Sequence, residues 1–130
     1  MWKYLFSRPQ ALKSKYEFKM EFSFDKRRIE GERIRTKYPD KVPIILEKSD
    51  SSDIPEIEKK KLLVLESLTV GQLINIIRKQ INLHSYQAMY LFVDNTVIPS
   101  LSESLGDIYK KHANKDNFLY ITYAVENTFG

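Results

Sequence analysis

The stretch Phe118-Leu119-Tyr120-Ile121-Thr122-Tyr123-Ala124-Val125 carries apolar or aromatic side chains on both alternating sets, Leu119, Ile121 and Tyr123 on one and Phe118, Tyr120 and Ala124 on the other. A strand with one apolar face covers a single layer, whereas a strand apolar on both must lie inside a sheet that is packed on each side. The pattern therefore predicts a central strand, and the rest of the chain has to supply its neighbours and covering layers. After it, Glu126-Asn127-Thr128-Phe129-Gly130 has no hydrophobic period and reads as a segment able to leave the domain and present a glycine carboxylate.

At 130 residues the chain supports one core of ordinary size. With no cysteine, disulfides, thiol nucleophiles and thiolate metal sites are excluded, and a cytosolic or nuclear setting is the default expectation. The net charge of +4 is the small excess of 21 basic over 17 acidic residues, a mixed surface rather than the dense basic patch of a nucleic-acid binder, so no nucleic-acid partner is expected. No apolar run approaches the roughly 20 residues of a membrane span, and the charged N-terminus lacks a secretory apolar region. Membrane attachment would have to be added chemically or through a partner.

Residues 1–14 carry Lys, Arg, Ser and Pro9 without a clear period and read as a flexible N-terminal extension. They contain Trp2-Lys3-Tyr4-Leu5, an aromatic-x-x-aliphatic tetrad of the kind that adds as a strand to a grooved sheet edge, although a chain with 12% aromatics also produces such tetrads by chance. Residues 15–40 form a charged helical region. Within it Asp25 to Arg35 has helical propensity, with Glu30 set beside Arg33 and one turn before Ile34, and Tyr38-Pro39-Asp40 ends the helix because the residue before proline is pushed out of helical φ/ψ.

The core follows in 41–125. Val42-Pro43-Ile44-Ile45-Leu46-Glu47 is its first strand, with Pro43 suited to an edge or to the strand's beginning. Ser49 to Asp53 is a polar turn, and Lys59-Lys60-Lys61-Leu62-Leu63-Val64 is a short strand whose lysines suit an exposed sheet edge. Thr69-Val70-Gly71-Gln72 is a capping box flanked by Leu68 and Leu73 at staple positions. The helix it starts directs Val70, Leu73, Ile74, Ile77 and Ile81 at the sheet and leaves Ile76 off that stripe. Met89 to Val93 is a buried strand ending at Asp94-Asn95, Thr96-Val97-Ile98 a further short strand, and Ser104 to Lys111 a short helix. A hairpin packed across one helix and closed by a last strand inserted beside the first is an α+β β-grasp.

Enzyme chemistry finds no constellation here. His84 and His112 stand alone in the sequence, the pair Glu56 and Glu58 sits in a polar loop beside lysines, and neither a phosphate loop nor metal-ligand spacing occurs.

The motifs Asp25-Lys26-Arg27-Arg28, Lys37-Tyr38-Pro39-Asp40-Lys41-Val42-Pro43, Lys59-Lys60-Lys61, Leu68-Thr69-Val70-Gly71-Gln72, Ile77-Arg78-Lys79 and Phe118-Leu119-Tyr120 with Glu126-Asn127-Thr128-Phe129-Gly130 occur in order, and together the chain from about Lys15 to Gly130 resembles the autophagy ubiquitin-like modifiers of the GABARAP and microtubule-associated light-chain type. The resemblance implies a ubiquitin-like β-grasp with a four-stranded mixed sheet, a central helix and two additional N-terminal helices, followed by a conjugation tail at 126–130. It implies a monomer that is not an enzyme and needs no cofactor. Its terminal Gly130 would be joined to phosphatidylethanolamine by activating and conjugating enzymes and released by a delipidating cysteine protease. The protein would be cytoplasmic, and on autophagosomal or other organelle membrane once lipidated. Partners would be autophagy receptors and adaptors carrying aromatic-x-x-aliphatic motifs; the alternative is a non-conjugated ubiquitin-like adaptor.

By position, the resemblance places Glu30, Ile34, Pro43, Lys61, Leu63 and Phe118 around an aromatic-accepting pocket, and Val64, Leu65, Leu68, Leu73 and Ile76 around an aliphatic one. Lys41, Lys59 and Lys61 would attract acidic residues flanking the motif. The chain departs from the family at Leu62, where an aromatic is usual, at Leu65, where proline is usual, at Leu73, where Phe is usual, and at Gln80, where Arg is common. These departures imply a reshaped second pocket.

Overall fold

A computed structural model describes residues 15–50, 54–98 and 100–127, with Asn127 described for its backbone alone. The expectations for the extension 1–14, for the tip of the polar turn and for 128–130 lie outside the described residues, whereas Glu126 and Asn127, expected in the tail, belong to the last strand and pair with Ala88 and Gln87. Two short N-terminal helices, α1 (Glu17–Glu21) and α2 (Phe24–Lys37), precede strands β1 (Lys41–Lys48) and β2 (Lys61–Leu65). Helix α3 (Val70–Gln80), strands β3 (Gln87–Val93) and β4 (Thr96–Val97), helix α4 (Leu105–His112) and strand β5 (Leu119–Asn127) complete the chain.

The sheet order is β2-β1-β5-β3-β4, with β5 parallel to β1 and antiparallel to β3. The sheet has five strands rather than the expected four, because the short strand at Thr96 pairs with β3 through Phe92↔Val97 and Val93↔Thr96. Its tight turn is made by Asp94 and Asn95, both with positive φ (51° and 58°), the conformation that two-residue hairpin loops require and that Asp and Asn tolerate. Pro43 lies in an interior strand and not at an edge. Antiparallel pairing to β2 has its bonded positions at even residues, as Leu46 N–H donating to the Lys60 carbonyl (2.7 Å) fixes, so the Pro43 nitrogen is turned toward the β5 side. Pairing to β5 begins only at Ile44↔Leu119, and proline removes no ladder bond there.

Both faces of β5 are covered. Leu119, Ile121 and Tyr123 join Val42, Ile44 and Leu46 beneath Val70, Leu73 and Ile77 of α3. On the other face Phe118 and Tyr120 meet Ile45, Ile34 of α2, and the half-buried rings of Tyr16 and Phe18. The Thr69 capping box forms as expected, with Gln72 N–H donating to Thr69 Oγ1 (3.2 Å) and Thr69 N–H to Gln72 Oε1 (2.9 Å).

Buried polar groups seat the N-terminal helices. The Glu47 carboxylate, wholly enclosed, accepts the first free N–H groups of α1 from Glu17 (2.9 Å) and Phe18 (3.1 Å), which supplies a cap that the helix's own Tyr16 does not. Tyr16 shares a 2.6 Å hydrogen bond with Thr122, and burial pushes its phenol up to about 12. Asp116, also wholly enclosed, accepts from Arg27 Nη1 and from the Tyr120 hydroxyl, each at 2.5 Å, and its other oxygen accepts from Phe118 N–H (3.0 Å). A buried carboxylate is tolerated when a cation and several donors compensate its lost hydration, and this one has all of them.

Gly31 is the point where α2 rests on the loop before β5. A Cβ there would stand 2.2 Å from the Asp116 carbonyl oxygen and 2.9 Å from Asn117 Cβ, closer than real contacts allow. Gly31→Ala should therefore destabilise the fold by roughly 1–3 kcal/mol, the crowding outweighing alanine's better helix propensity of about 1 kcal/mol. Denaturant unfolding checks this: an unchanged or raised midpoint would mean that α2 is not held against the 114–118 loop.

Candidate functional site

The sheet order leaves β2 at one edge, paired with β1 alone among the described residues. Because even positions of β2 bond to β1, the peptide groups of Lys61 and Leu63 and the N–H of Leu65 face outward. The same alternation divides its side chains. Leu62 and Val64 pack half-buried against the core under α3, while Lys61 and Leu63 lie on the face occupied by α2. An extended ligand added to this edge would thus find apolar surface on each side of it.

On the α2 side the predicted group comes together. Leu63 is opposite Pro43 in register and 39% exposed, and Ile34 and Phe118 belong to the cluster beneath it. Phe118 has no exposed surface, so it is core beneath this face and offers no contact of its own to a ligand. Glu30 is bound by two Arg33 donors (2.8 and 3.1 Å), with Lys61 Nζ 3.9 Å away. The Arg33 hydrogen bonds, with Lys61 adding, hold the Glu30 carboxyl below the usual range, so it is ionised at neutral pH.

On the α3 side the grouping is partial. Val64 and Leu68 pack half-buried on the main core, and Ile76 keeps 37% of its surface exposed, as its off-stripe position predicts. Leu73 is wholly enclosed and acts as core. Leu65, 51% exposed, falls by strand alternation on the α2 face with its register partner Lys41, away from Val64. Leu62 takes the place beside Val64 that position-matching missed; the period-two pattern starting from Val64 is the signal that finds it.

The basic run is divided in use. Lys61 is exposed at the edge, Lys59 is exposed toward a cleft shared with Pro55, Glu58 and Gln80, and Lys41 Nζ lies 5.1 Å over the Tyr38 ring. Lys60 is ion-paired with Glu17 of α1, and that hydrogen bond raises its ammonium pKa. Sequence reasoning missed this role, since the partners are far apart in the chain. His112 is not alone: its Nδ1 is 2.9 Å from Asp94 Oδ2, while His84 stacks on Tyr86. No nucleophile accompanies either ring among these described contacts, and no helix among the described residues is long and apolar enough to cross a membrane.

With this geometry in view, the likeness to known proteins is informative. The family described as "Autophagy protein Atg8 ubiquitin like" matches residues 26–130. Autophagy-related protein 8 of Mycosarcoma maydis is 52% identical over 113 residues, covering 87% of this chain and 95% of that protein. Autophagy-related protein 8e of Arabidopsis thaliana is 50% identical over 113 residues, covering 87% and 92%. The crystal structure of Trypanosoma brucei ATG8 superposes with a TM-score of 0.82 at 38% identity, covering 90% of this chain and all of that one. A family match across most of the chain, identity near one half and a shared fold agree, and the chain belongs to the Atg8 family of autophagy ubiquitin-like modifiers.

Proposed function

We propose that this autophagy modifier is conjugated through Gly130 to phosphatidylethanolamine and gathers partners by taking an aromatic-x-x-aliphatic segment as an added strand on β2. The observation that carries the binding half is the β2 edge itself: outward peptide groups with Leu63 on one side and the Leu62, Val64 and Ile76 surface on the other. The ligand's aromatic ring enters beside Leu63 and Ile34, its aliphatic residue beside Val64 and Ile76, and acidic flanks meet Lys59, Lys61 and Lys41.

The conjugation half rests on family membership and on glycine chemistry. Lacking Cβ, Gly130 threads a narrow channel, and its carboxyl is activated and carried as a thioester on a conjugating enzyme's cysteine before the amine of the lipid takes it. The enzymes that activate, transfer and release it are its further partners, and the chain itself is substrate rather than catalyst. It is cytoplasmic before conjugation and on autophagosomal membrane afterwards.

Gly130→Ala should abolish the lipid adduct, read by intact mass and membrane fractionation, while leaving thermal unfolding unchanged. Acquisition of lipid on another residue would overturn the terminal-glycine route. For the groove, Leu63→Ala should weaken binding of an acidic-flanked peptide by about 1–3 kcal/mol through lost packing around the buried ring. Binding should also weaken as salt rises, with a shallower salt dependence once Lys59 and Lys61 are both replaced by Ala. Calorimetry across a salt series measures both, and salt-independent binding would contradict the role given to the lysines.

A further inference from the structure

We infer that Glu17 is a rival, built into the chain, for the acidic flank of the segment taken up on β2, and that it sets how strongly such a flank counts. This rests on the groove reading above and deepens it by naming the residue that governs one of its cations.

The three consecutive lysines are used differently. Lys59 shares its cleft with Glu56 and Glu58, the acids of its own loop. Lys61 stands 3.9 Å from Glu30, a loose contact, because Glu30 already accepts from two Arg33 donors. Lys60 differs from both, since its ammonium donates directly to Glu17 Oε2. That hydrogen bond, with Glu56 and Glu47 adding at longer range, raises the Lys60 ammonium above its ordinary pKa. The cation is charged at neutral pH and already compensated.

Position makes Lys60 matter to the edge. Its carbonyl accepts from Leu46 N–H at 2.7 Å, which extends the β1–β2 ladder one residue ahead of Lys61. A segment paired to the outward peptide groups of Lys61 and Leu63 therefore runs past Lys60 with its flanking residues. An acid in that flank finds the ammonium occupied.

The backbone that carries Glu17 is itself fixed. Its N–H donates to the enclosed Glu47 carboxylate at 2.9 Å, and the N–H of Phe18 does so at 3.1 Å. On either side, Tyr16 hydrogen-bonds Thr122, and the Phe18 ring meets Phe118 edge-on with centroids 5.2 Å apart. A carboxylate on so anchored a backbone loses less freedom on pairing than one on a mobile surface segment. The Glu17 and Lys60 side chains keep 59% and 33% of their surface exposed, so one carboxylate exchanges for another without unfolding. A ligand's acid must displace Glu17 before it gains Lys60, and the edge discriminates against weakly acidic flanks.

Two peptides with one aromatic-x-x-aliphatic core, flanked by Glu in the first and by Gln in the second, test this on the full chain by calorimetry. Glu17→Gln keeps the N–H that seats α1 on Glu47 and should tighten the Glu-flanked peptide by about two- to fivefold, the worth of one exposed ion pair. The Gln-flanked peptide should bind as before. In a Lys60→Gln background the gain from Glu17→Gln should shrink, because the cation at issue is gone. The cycle belongs at about 0.15 M salt, where charges more than about 8 Å apart are largely screened. In the parent chain the Glu-flanked peptide alone should shift the side-chain carboxylate carbon of Glu17. Unchanged affinity in Glu17→Gln, equal tightening of both peptides, a gain of full size without Lys60, or a Glu17 carboxylate that the Glu-flanked peptide leaves unmoved would overturn the rivalry while leaving the groove intact. If neither peptide binds the parent chain or any variant, the groove reading fails and the rivalry with it.

Discussion

The insertion of β5 between β1 and β3 is the constraint on which the rest of the architecture depends. A strand apolar on both faces has to be covered on each, and here β1 lies parallel on one side of it, β3 antiparallel on the other, and helices close both faces. Because β1 already pairs with β5, the hairpin partner β2 is driven to the outside. The open sheet edge is thus a consequence of how the core is filled, and its lysines serve a sheet that would otherwise offer an unprotected edge to any strand.

The second face of that strand is closed differently from the first. Under α3 the contact is apolar and extensive, as a helix with a capping box and a full stripe provides. Under α1 and α2 a smaller apolar and aromatic cluster is joined by a few polar points: Glu47 at the start of α1, Tyr16 with Thr122, and Arg27 with Asp116 and Tyr120. α1 has no buried residue and runs only from Glu17 to Glu21, so these partners rather than its own propensity keep it in place. Through Glu17 and Lys60 the same helix is tied to the residue that precedes β2, which links the seating of the N-terminal region to the position of that sheet edge.

Much of this was legible in the sequence where one local signal decides the outcome. The double apolar pattern placed β5 at the centre, and Thr69 with Gln72 placed the start of α3. α2 was bounded by Pro39 at its end, while its true cap, Ser23 accepting from Lys26 N–H at 3.2 Å, was overlooked. What could not be read depends on contacts distant in the chain. Glu47 looks like any strand carboxylate until Glu17 and Phe18 are brought to it, and His112 looks isolated until the β3–β4 turn presents Asp94. Pro43 pointed to an edge or to a strand's beginning because proline's missing donor is visible in sequence; it stands near the start of the interior strand β1, ahead of the first pairing with β5, and which of the two holds depends on the side that donor would have faced.

The four departures from the family pattern do not act alike, and burial separates them. Leu73 is wholly enclosed beneath the sheet, so a change of size there is taken up by core packing and reaches the groove only indirectly. Gln80 lies at the end of α3 beside Pro55 and Lys59, away from Leu63. Leu62 and Leu65 are the departures at the edge itself. Leu62 stands on the α3 face, where a ring is usual in the family, and packs half-buried with Val64 against the main core. Leu65 has its N–H turned outward, so where proline is usual in the family this chain keeps one more donor for an added strand. On the proposed reading of this edge as a strand-accepting groove, these two residues would shift recognition of the second position from shape set by rigid side chains toward backbone pairing, which tolerates a wider range of aliphatic partners.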